Sequence, residues 1–123
     1  MQHFYQYITF ERTGEVLCAR LQNPRVADQD MEDLGAELVR LVDVEKGEKI
    51  VVCLGPDEPD CLISVFLAKL ISLQRRLGSS GGELALAHVS EHTRGIFVAA
   101  GIEKLFHFYP DQESAVHALH ASG

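Results

Sequence analysis

The spacing of hydrophobic residues predicts a β-hairpin at the start of the chain and a helix after it. Aromatic and β-branched residues dominate positions 4–10, a Thr-Gly pair at 13–14 interrupts them, and a second apolar run begins at Val16. Two such runs around a turn are typical of a hairpin. Beyond an Asn-Pro turn, apolar residues recur at helical spacing, so we expect a helix that Asp30 caps and Gly47 closes.

Strands and helices alternate through the rest of the chain. Residues 49–54 form a continuous apolar run, which is typical of a strand buried on both faces. Residues 65–77 carry apolar side chains on one side and polar side chains on the other, which indicates an amphipathic helix that a glycine-rich segment ends. The later elements continue the alternation: a strand over 83–87, a helix that Ser90 opens as its cap and that stops at Gly101, a strand over 105–109 and a final helix that Asp111 caps.

The resulting order, ββαβαβαβα, predicts an α/β fold. The β-sheet should be mixed and mostly parallel, with an N-terminal hairpin and about four helices packed against it. Short connections throughout predict a single domain over residues 1–123. The chain has 123 residues, of which 46% are hydrophobic, so it can bury a core that needs neither a metal nor a disulfide. We therefore expect the fold to survive both EDTA and reductant.

The net charge and the cysteine content indicate which partners the protein can bind and in which cellular compartment it is found. The formal charge of −7 is the wrong sign for binding a phosphate backbone, so nucleic acid is not expected as a partner. The three cysteines, Cys18, Cys53 and Cys61, form an odd set without CxxC spacing, which favours reduced thiols in a cytoplasmic protein. The sequence shows neither a signal-peptide pattern nor a membrane-spanning apolar stretch, so we expect no membrane association.

The common catalytic signatures are absent from the sequence, which predicts a binding protein without cofactor or metal rather than an enzyme. The phosphate-binding, dinucleotide-binding, zincin and hydrolase motifs do not occur. His88 and His92 are four positions apart, yet His88 ends a predicted strand and does not share a helix with His92. A second pair, His117 and His120, lies near the C-terminus, so neither pair predicts a metal site. Cys61 lies among acidic residues that disfavour a thiolate.

Ser64 is the position of most interest because it lies between an acidic loop, residues 55–60, and the amphipathic helix. Its hydroxyl could bond a free helical N–H, in which case Ser64 is a helix N-cap. It could instead accept a phosphate, which would add nearly two negative charges at the positive end of the helix and alter the docking of a partner there. Both interpretations are compatible with the local sequence.

Several segments together resemble the STAS family, the family of the anti-sigma factor antagonists. The segments that carry the resemblance are residues 31–38 (MEDLGAEL), 64–77 (SVFLAKLISLQRRL), 81–86 (GGELAL), 101–106 (GIEKLF) and 109–111 (YPD). They extend over nearly the whole chain, and the predicted element order matches that of the family. The resemblance therefore implies the STAS fold.

The resemblance also implies a function. Family members are small cytoplasmic bacterial proteins that bind an anti-sigma factor, often a serine protein kinase, and free a sigma factor by partner switching. Ser64 matches the Ser or Thr that the kinase phosphorylates at the start of the second helix. Ile63 and Phe66 replace the Asp and the small residue that are common in the family at these positions. A second interpretation is therefore a STAS signalling or scaffold module that binds a partner constitutively, without a phosphoswitch.

The partner-binding patch is expected around Ser64, on the preceding loop and on the polar face of the following helix. A charge change at the start of this helix should alter docking more than stability. The candidate residues are Asp57, Asp60, Leu62, Ser64, Lys69, Ser72 and Arg76. The protein is expected to be a monomer or a weak homo-oligomer.

Overall fold

The computed structural model describes residues 5–23, 25–55 and 64–121, and their elements follow the predicted order ββαβαβαβα. The elements are β1 (Ile8–Thr13), β2 (Val16–Leu21), α1 (Met31–Asp43), β3 (Lys49–Cys53), α2 (Ser64–Ser79), β4 (Glu83–Ala87), α3 (Glu91–Ala99), β5 (His107–Tyr109) and α4 (Gln112–Ala121). Short 3-10 turns, Asp28–Asp30 and Glu103–Leu105, precede α1 and β5. The second turn includes Leu105, so β5 is shorter than the predicted strand over 105–109.

These strands form one sheet in the order β1-β2-β3-β4-β5. The pair β1 and β2 is antiparallel, whereas β2, β3, β4 and β5 run parallel to one another. Each connection between neighbouring parallel strands carries one helix, and right-handed crossovers in one direction put α1, α2 and α3 on the same face. The last helix, α4, packs on the opposite face. The sheet is therefore mixed and mostly parallel, as the sequence predicted.

The two faces of the sheet carry side chains of different size. The central strands turn large side chains toward α1, α2 and α3: Ile50, Val52, Leu84 and Leu86. They turn smaller side chains toward α4: Val51, Cys53, Ala85 and Ala87. Alternate residues of a strand point to opposite faces, so three helices build the larger core on one side while α4 approaches the sheet closely on the other.

Two of the predicted helix caps form as expected. The Ser90 hydroxyl oxygen accepts a hydrogen bond from the Thr93 N–H at 3.1 Å. The Asp111 carboxylate accepts one from the Ser114 N–H at 2.7 Å, and this bond lowers the pKa of Asp111. Both caps satisfy backbone donors that a helix leaves free in its first turn.

The helix α1 begins and ends differently from the prediction. The expected cap at Asp30 was wrong: its carboxylate accepts a bond from the Tyr7 hydroxyl at 3.0 Å and makes no bond to a helical N–H. The reason is that the 3-10 turn leads directly into α1, so the backbone of Asp30 is already helical rather than extended. The helix ends at Asp43, before Gly47, and Lys46 adopts the positive φ of 61° in the connection.

The first strand begins later than its aromatic residues suggested, because the residues before it are bound to α1. The backbone N–H groups of Gln6, Tyr7 and Ile8 donate to the carboxylate of Glu37 at 2.8, 2.9 and 3.3 Å. Glu37 is only 6% exposed. This buried carboxylate therefore fixes where the chain enters the sheet. Phe4, the first residue of the predicted run, lies outside the described residues.

Candidate functional site

The parallel strands end, and the helices begin, at the same edge of the sheet. β3 ends at Cys53 and β4 at Ala87, while α2 begins at Ser64 and α3 at Glu91. In open parallel sheets, binding sites are usually found at this carboxyl edge. Because the edge includes Ser64, it is the candidate functional site.

Ser64 is the first residue of α2, one residue earlier than the predicted start of the helix at 65, and so it lies at the start of the second helix, where the resemblance placed it. Asp57, Asp60 and Leu62 lie outside the described residues, so their place in the patch stays a prediction. Residues 64–67 contain no acidic side chain, whereas the first turns of α1, α3 and α4 each contain at least one. The positive end of the α2 dipole is thus not neutralised within its own first turn.

The two cations of the predicted patch are bonded to α1. Lys69 Nζ lies 2.9 Å from Glu32 Oε1. The Arg76 guanidinium donates two hydrogen bonds to the carboxylate of Asp43, at 2.9 and 2.7 Å. Such surface pairs contribute about 0–1 kcal/mol each, but they hold both side chains along the line where α2 meets α1. Ser72 is exposed on the same helix. A partner that binds this face would therefore contact the Ser72 hydroxyl and the two ion pairs.

Two apolar side chains outside the predicted patch are also exposed on α2. Val65 is 43% exposed, and Ala68, one turn later, is exposed as well. Neither belongs to the buried stripe that contains Phe66, Leu70 and Leu73. In the sequence, the sign of this exposure was that both apolar residues fall outside the apolar stripe of the helix. Together they leave a small apolar area beside the polar residues of the predicted patch, which a partner could cover.

Gly55 and His88 bring the segments after β3 and β4 into contact at this edge. An ideal Cβ on Gly55 would lie 2.7 Å from the carbonyl oxygen of His88. His88 has a φ of +56°, a conformation that non-glycine residues adopt uncommonly. The missing side chain at position 55 is therefore what allows the two segments to meet.

We expect the substitution Gly55→Ala to lower the free energy of unfolding by about 1–3 kcal/mol, because the added methyl group overpacks against backbone. The matched control is Gly95→Ala in α3, where an added Cβ meets nothing within 4 Å. That control should raise the stability by about 0.5–1 kcal/mol through its better helix propensity. Denaturant unfolding of both variants measures the difference. Wild-type stability in Gly55→Ala would contradict the contact.

Two of the three cysteines are buried between the sheet and α4. Burial raises the pKa of Cys18 and raises that of Cys53 to about 11. The Cys53 thiol also donates a hydrogen bond to Gln112 Oε1 at 3.2 Å. A protonated, buried thiol is a poor nucleophile. These two residues are therefore structural, while Cys61 lies outside the described residues.

In a Cys61→Ser variant, which leaves only Cys18 and Cys53, we expect native protein to react extremely slowly with a disulfide reagent at about pH 8, because burial keeps both thiols protonated and covered. Both thiols should react at once in guanidinium. The measurement is the absorbance of released thiolate against time. Fast reaction of the native variant would show that the α4 face is open.

The histidine pairs lie on different elements. His88 follows β4 and His92 lies in α3, so this pair does not share a helix, whereas His117 and His120 both lie in α4. Across the described parts of the chain, no group of three or more His, Cys, Asp or Glu side chains could hold a metal ion. Within the same ranges, no helix has both the length and the apolar character needed to cross a bilayer.

Comparison with known sequences identifies a relative that matches nearly the whole chain. No family model matches the chain. BtrV of Bordetella bronchiseptica, which is named as an anti-sigma factor antagonist, is 32% identical over 112 residues. The match covers 91% of this chain and 93% of BtrV.

Solved structures of proteins from the same group share the fold. An anti-sigma factor antagonist from Mycobacterium paratuberculosis matches with a TM-score of 0.75 at 22% identity, covering 92% of this chain and 94% of that one. SpoIIAA in its unphosphorylated form matches at 0.74 and 15%, covering 93% and 96%. Phosphorylated SpoIIAA of Bacillus matches at 0.66 and 17%, covering 90% and 97%. The structures show that the fold is shared, and the sequence relative shows that the chain belongs to the STAS family of anti-sigma factor antagonists.

Proposed function

We propose that this protein is an anti-sigma factor antagonist, formed by a single STAS domain over residues 1–123, that acts in the bacterial cytoplasm by binding rather than by catalysis. It binds an anti-sigma factor and thereby frees the sigma factor for transcription. The observation that carries the proposal is the place of Ser64, at the first position of α2, in a chain of this family. A phosphate on Ser64 would add negative charge at the carboxyl edge of the sheet, where the partner binds.

The binding surface is the exposed face of α2 near Ser64. Its centre is apolar, with Val65 and Ala68, and its rim is polar, with Ser72 and the ion-paired Lys69. An apolar centre inside a polar rim is the usual composition of a reversible protein interface. Asp57, Asp60 and Leu62, which lie outside the described residues, remain predicted contacts of the partner.

Phosphorylation of Ser64 ends the interaction. A serine protein kinase transfers the γ-phosphoryl group of ATP to the Ser64 hydroxyl oxygen, so a new P–O bond forms, the hydroxyl proton goes to the kinase, and ADP leaves. The helix dipole stabilises the new negative charge, and no acidic side chain in residues 64–67 opposes it. The fold therefore tolerates the phosphate, whereas a partner fitted to the neutral serine is repelled.

Affinity capture from the native cell tests the proposal. Tagged wild-type protein should recover an anti-sigma factor, and mass spectrometry should find phosphate on Ser64 in protein that is not bound to it. Val65→Lys should abolish capture, because it places a charge at the centre of the interface. The matched control is Val98→Lys on α3, where Val98 is 50% exposed, and this variant should still capture the partner.

The other results of the capture would contradict all or part of the proposal. Equal capture by both lysine variants would exclude the α2 surface. An anti-sigma factor recovered without phosphate on Ser64 under any condition would favour a constitutive STAS module.

A further inference from the structure

A groove of about 580 Å³ lies between α4 and the β1–β2 hairpin. We call it the α4–hairpin groove, and its polar lining includes Arg20, Gln112, Glu113, His117 and His120. Its volume falls within the range of small-molecule sites, about 300–1,000 Å³. The groove lies on the face of the sheet that α4 covers, opposite to α2, so it is separate from the proposed partner surface.

Arg20 is held in this groove by a neutral group. One of its terminal nitrogens donates a hydrogen bond to Gln112 Oε1 at 2.8 Å. Gln112 is fixed in turn, because its Nε2 donates to Glu11 at 3.1 Å and its Oε1 also accepts from the Cys53 thiol. Among the described residues, Arg20 forms no ion pair with a carboxylate. The guanidinium is therefore oriented by a neutral amide, and Glu11 is bonded to that amide rather than to Arg20, which suits Arg20 to bind an oxyanion.

Two imidazoles extend the basic lining along α4. His117 and His120 are three positions apart, a spacing that puts both on one side of the helix. His120 is packed against the hairpin turn, because an ideal Cβ on Gly14 would lie 2.7 Å from its Cε1 atom. Gly14 has a φ of +63°, so glycine both makes the turn and leaves space for the ring. This contact holds His120 over the hairpin.

We propose that the α4–hairpin groove binds a small molecule that carries an oxyanion, either a carboxylate or a phosphate. The oxyanion binds to Arg20 and to an imidazole of α4. The Arg20 guanidinium donates charge-assisted hydrogen bonds, and the imidazole donates a further one from a ring N–H. Glu113, the acidic member of the lining, accepts a hydrogen bond from a hydroxyl or amine elsewhere on the ligand. The site is a second function of the chain, beyond its binding of an anti-sigma factor.

Titration of isotope-labelled protein, followed by its backbone amide signals in NMR, tests the site. Inorganic phosphate and succinate are added separately, with sodium chloride keeping the ionic strength constant. At least one should cause saturable shifts confined to the hairpin around Arg20 and to α4, and the stronger of the two identifies the source of the oxyanion. Arg20→Gln should weaken this binding by about tenfold, the effect of losing one charge-assisted contact.

The matched control is Arg75→Gln, which removes the same charge from an exposed residue of α2 on the opposite face. It should leave binding within about twofold of wild type. Equal losses in the two arginine variants, equal shifts with chloride alone, or no saturable shifts would each overturn the proposal. If the Arg20→Gln spectrum shows an altered fold, the His117→Gln/His120→Gln double variant decides: weakened binding supports the site, and unchanged binding rejects it.

Discussion

The substitution Glu37→Ala is expected to lower the free energy of unfolding by about 3 kcal/mol and the melting temperature by about 10 °C. The carboxylate of Glu37 accepts three backbone hydrogen bonds, two from the residues just before β1 and one from Ile8, its first residue. Without it, these donors lose their partner at a site that is largely buried, and each such loss costs about 1–3 kcal/mol unless water replaces the partner. Denaturant and thermal unfolding measure the change.

Two further variants separate the hydrogen bonds from the general loss of a helical side chain. Glu37→Gln keeps one acceptor oxygen and replaces the other by a donor, so it should lose about 1–2 kcal/mol. Glu32→Ala makes the same change as Glu37→Ala on the same helix, but Glu32 has only a surface pair with Lys69, so it should lose less than about 1 kcal/mol. Equal losses in the two alanine variants would contradict the role assigned to Glu37.

The substitution Ser64→Asp is expected to weaken binding to the anti-sigma factor by about 1–3 kcal/mol, or roughly 5- to 150-fold. The new carboxylate imitates part of the charge of a phosphate at the start of α2, where the helix dipole stabilises it. The melting temperature should therefore stay within a few degrees of wild type, while Ser64→Ala should keep wild-type affinity. Calorimetric titration with the captured partner measures the dissociation constants.

Ser79→Asp controls for the added charge itself. Ser79 is the last residue of α2, about 22 Å from Ser64 along the helix axis. Its affinity should match that of wild type. If Ser64→Asp binds as tightly as wild type, the charge switch is wrong, and direct phosphorylation of Ser64 should then be measured because Asp carries less charge than phosphate.

Local sequence features predicted much of the fold because they report short-range physics. The alternation of apolar runs gave the element order, since burial of one or both faces of an element sets its hydrophobic period. Ser90 and Asp111 were identified as caps because a cap bonds to an N–H three residues away, within the same few residues of sequence.

Contacts between distant parts of the chain were not predictable in this way. Glu37 binds backbone groups 29 to 31 residues away, and in sequence it looks like one more polar residue of an amphipathic helix. The segment before β1 also explains why Asp30 does not cap α1, because the Asp30 carboxylate accepts a hydrogen bond from the Tyr7 hydroxyl instead. The spacing of apolar residues in α1 does not indicate that Asp30 or Glu37 contacts this distant segment.

The candidate site was likewise predictable where it depends on local sequence and not where it depends on contacts between distant residues. Ser64 was identified from its position before an amphipathic helix and from family resemblance, and it does lie at the start of α2. The ion pair that joins Lys69 to Glu32 depends on how α1 and α2 meet, which the sequence pattern does not state. The close approach of Gly55 to His88 depends likewise on neighbouring strands, since a glycine in sequence does not reveal what it touches.

Antagonism itself is tested most directly by the release of sigma factor from a preformed complex. The anti-sigma factor recovered by capture is bound to its sigma factor, increasing amounts of this protein are added, and free sigma factor is quantified by size-exclusion chromatography. Wild-type protein should release sigma factor in proportion to the amount added, and Ser64→Asp should need about tenfold more protein for the same release. Sigma factor that stays in its complex at a large excess of wild-type protein would contradict the proposed function.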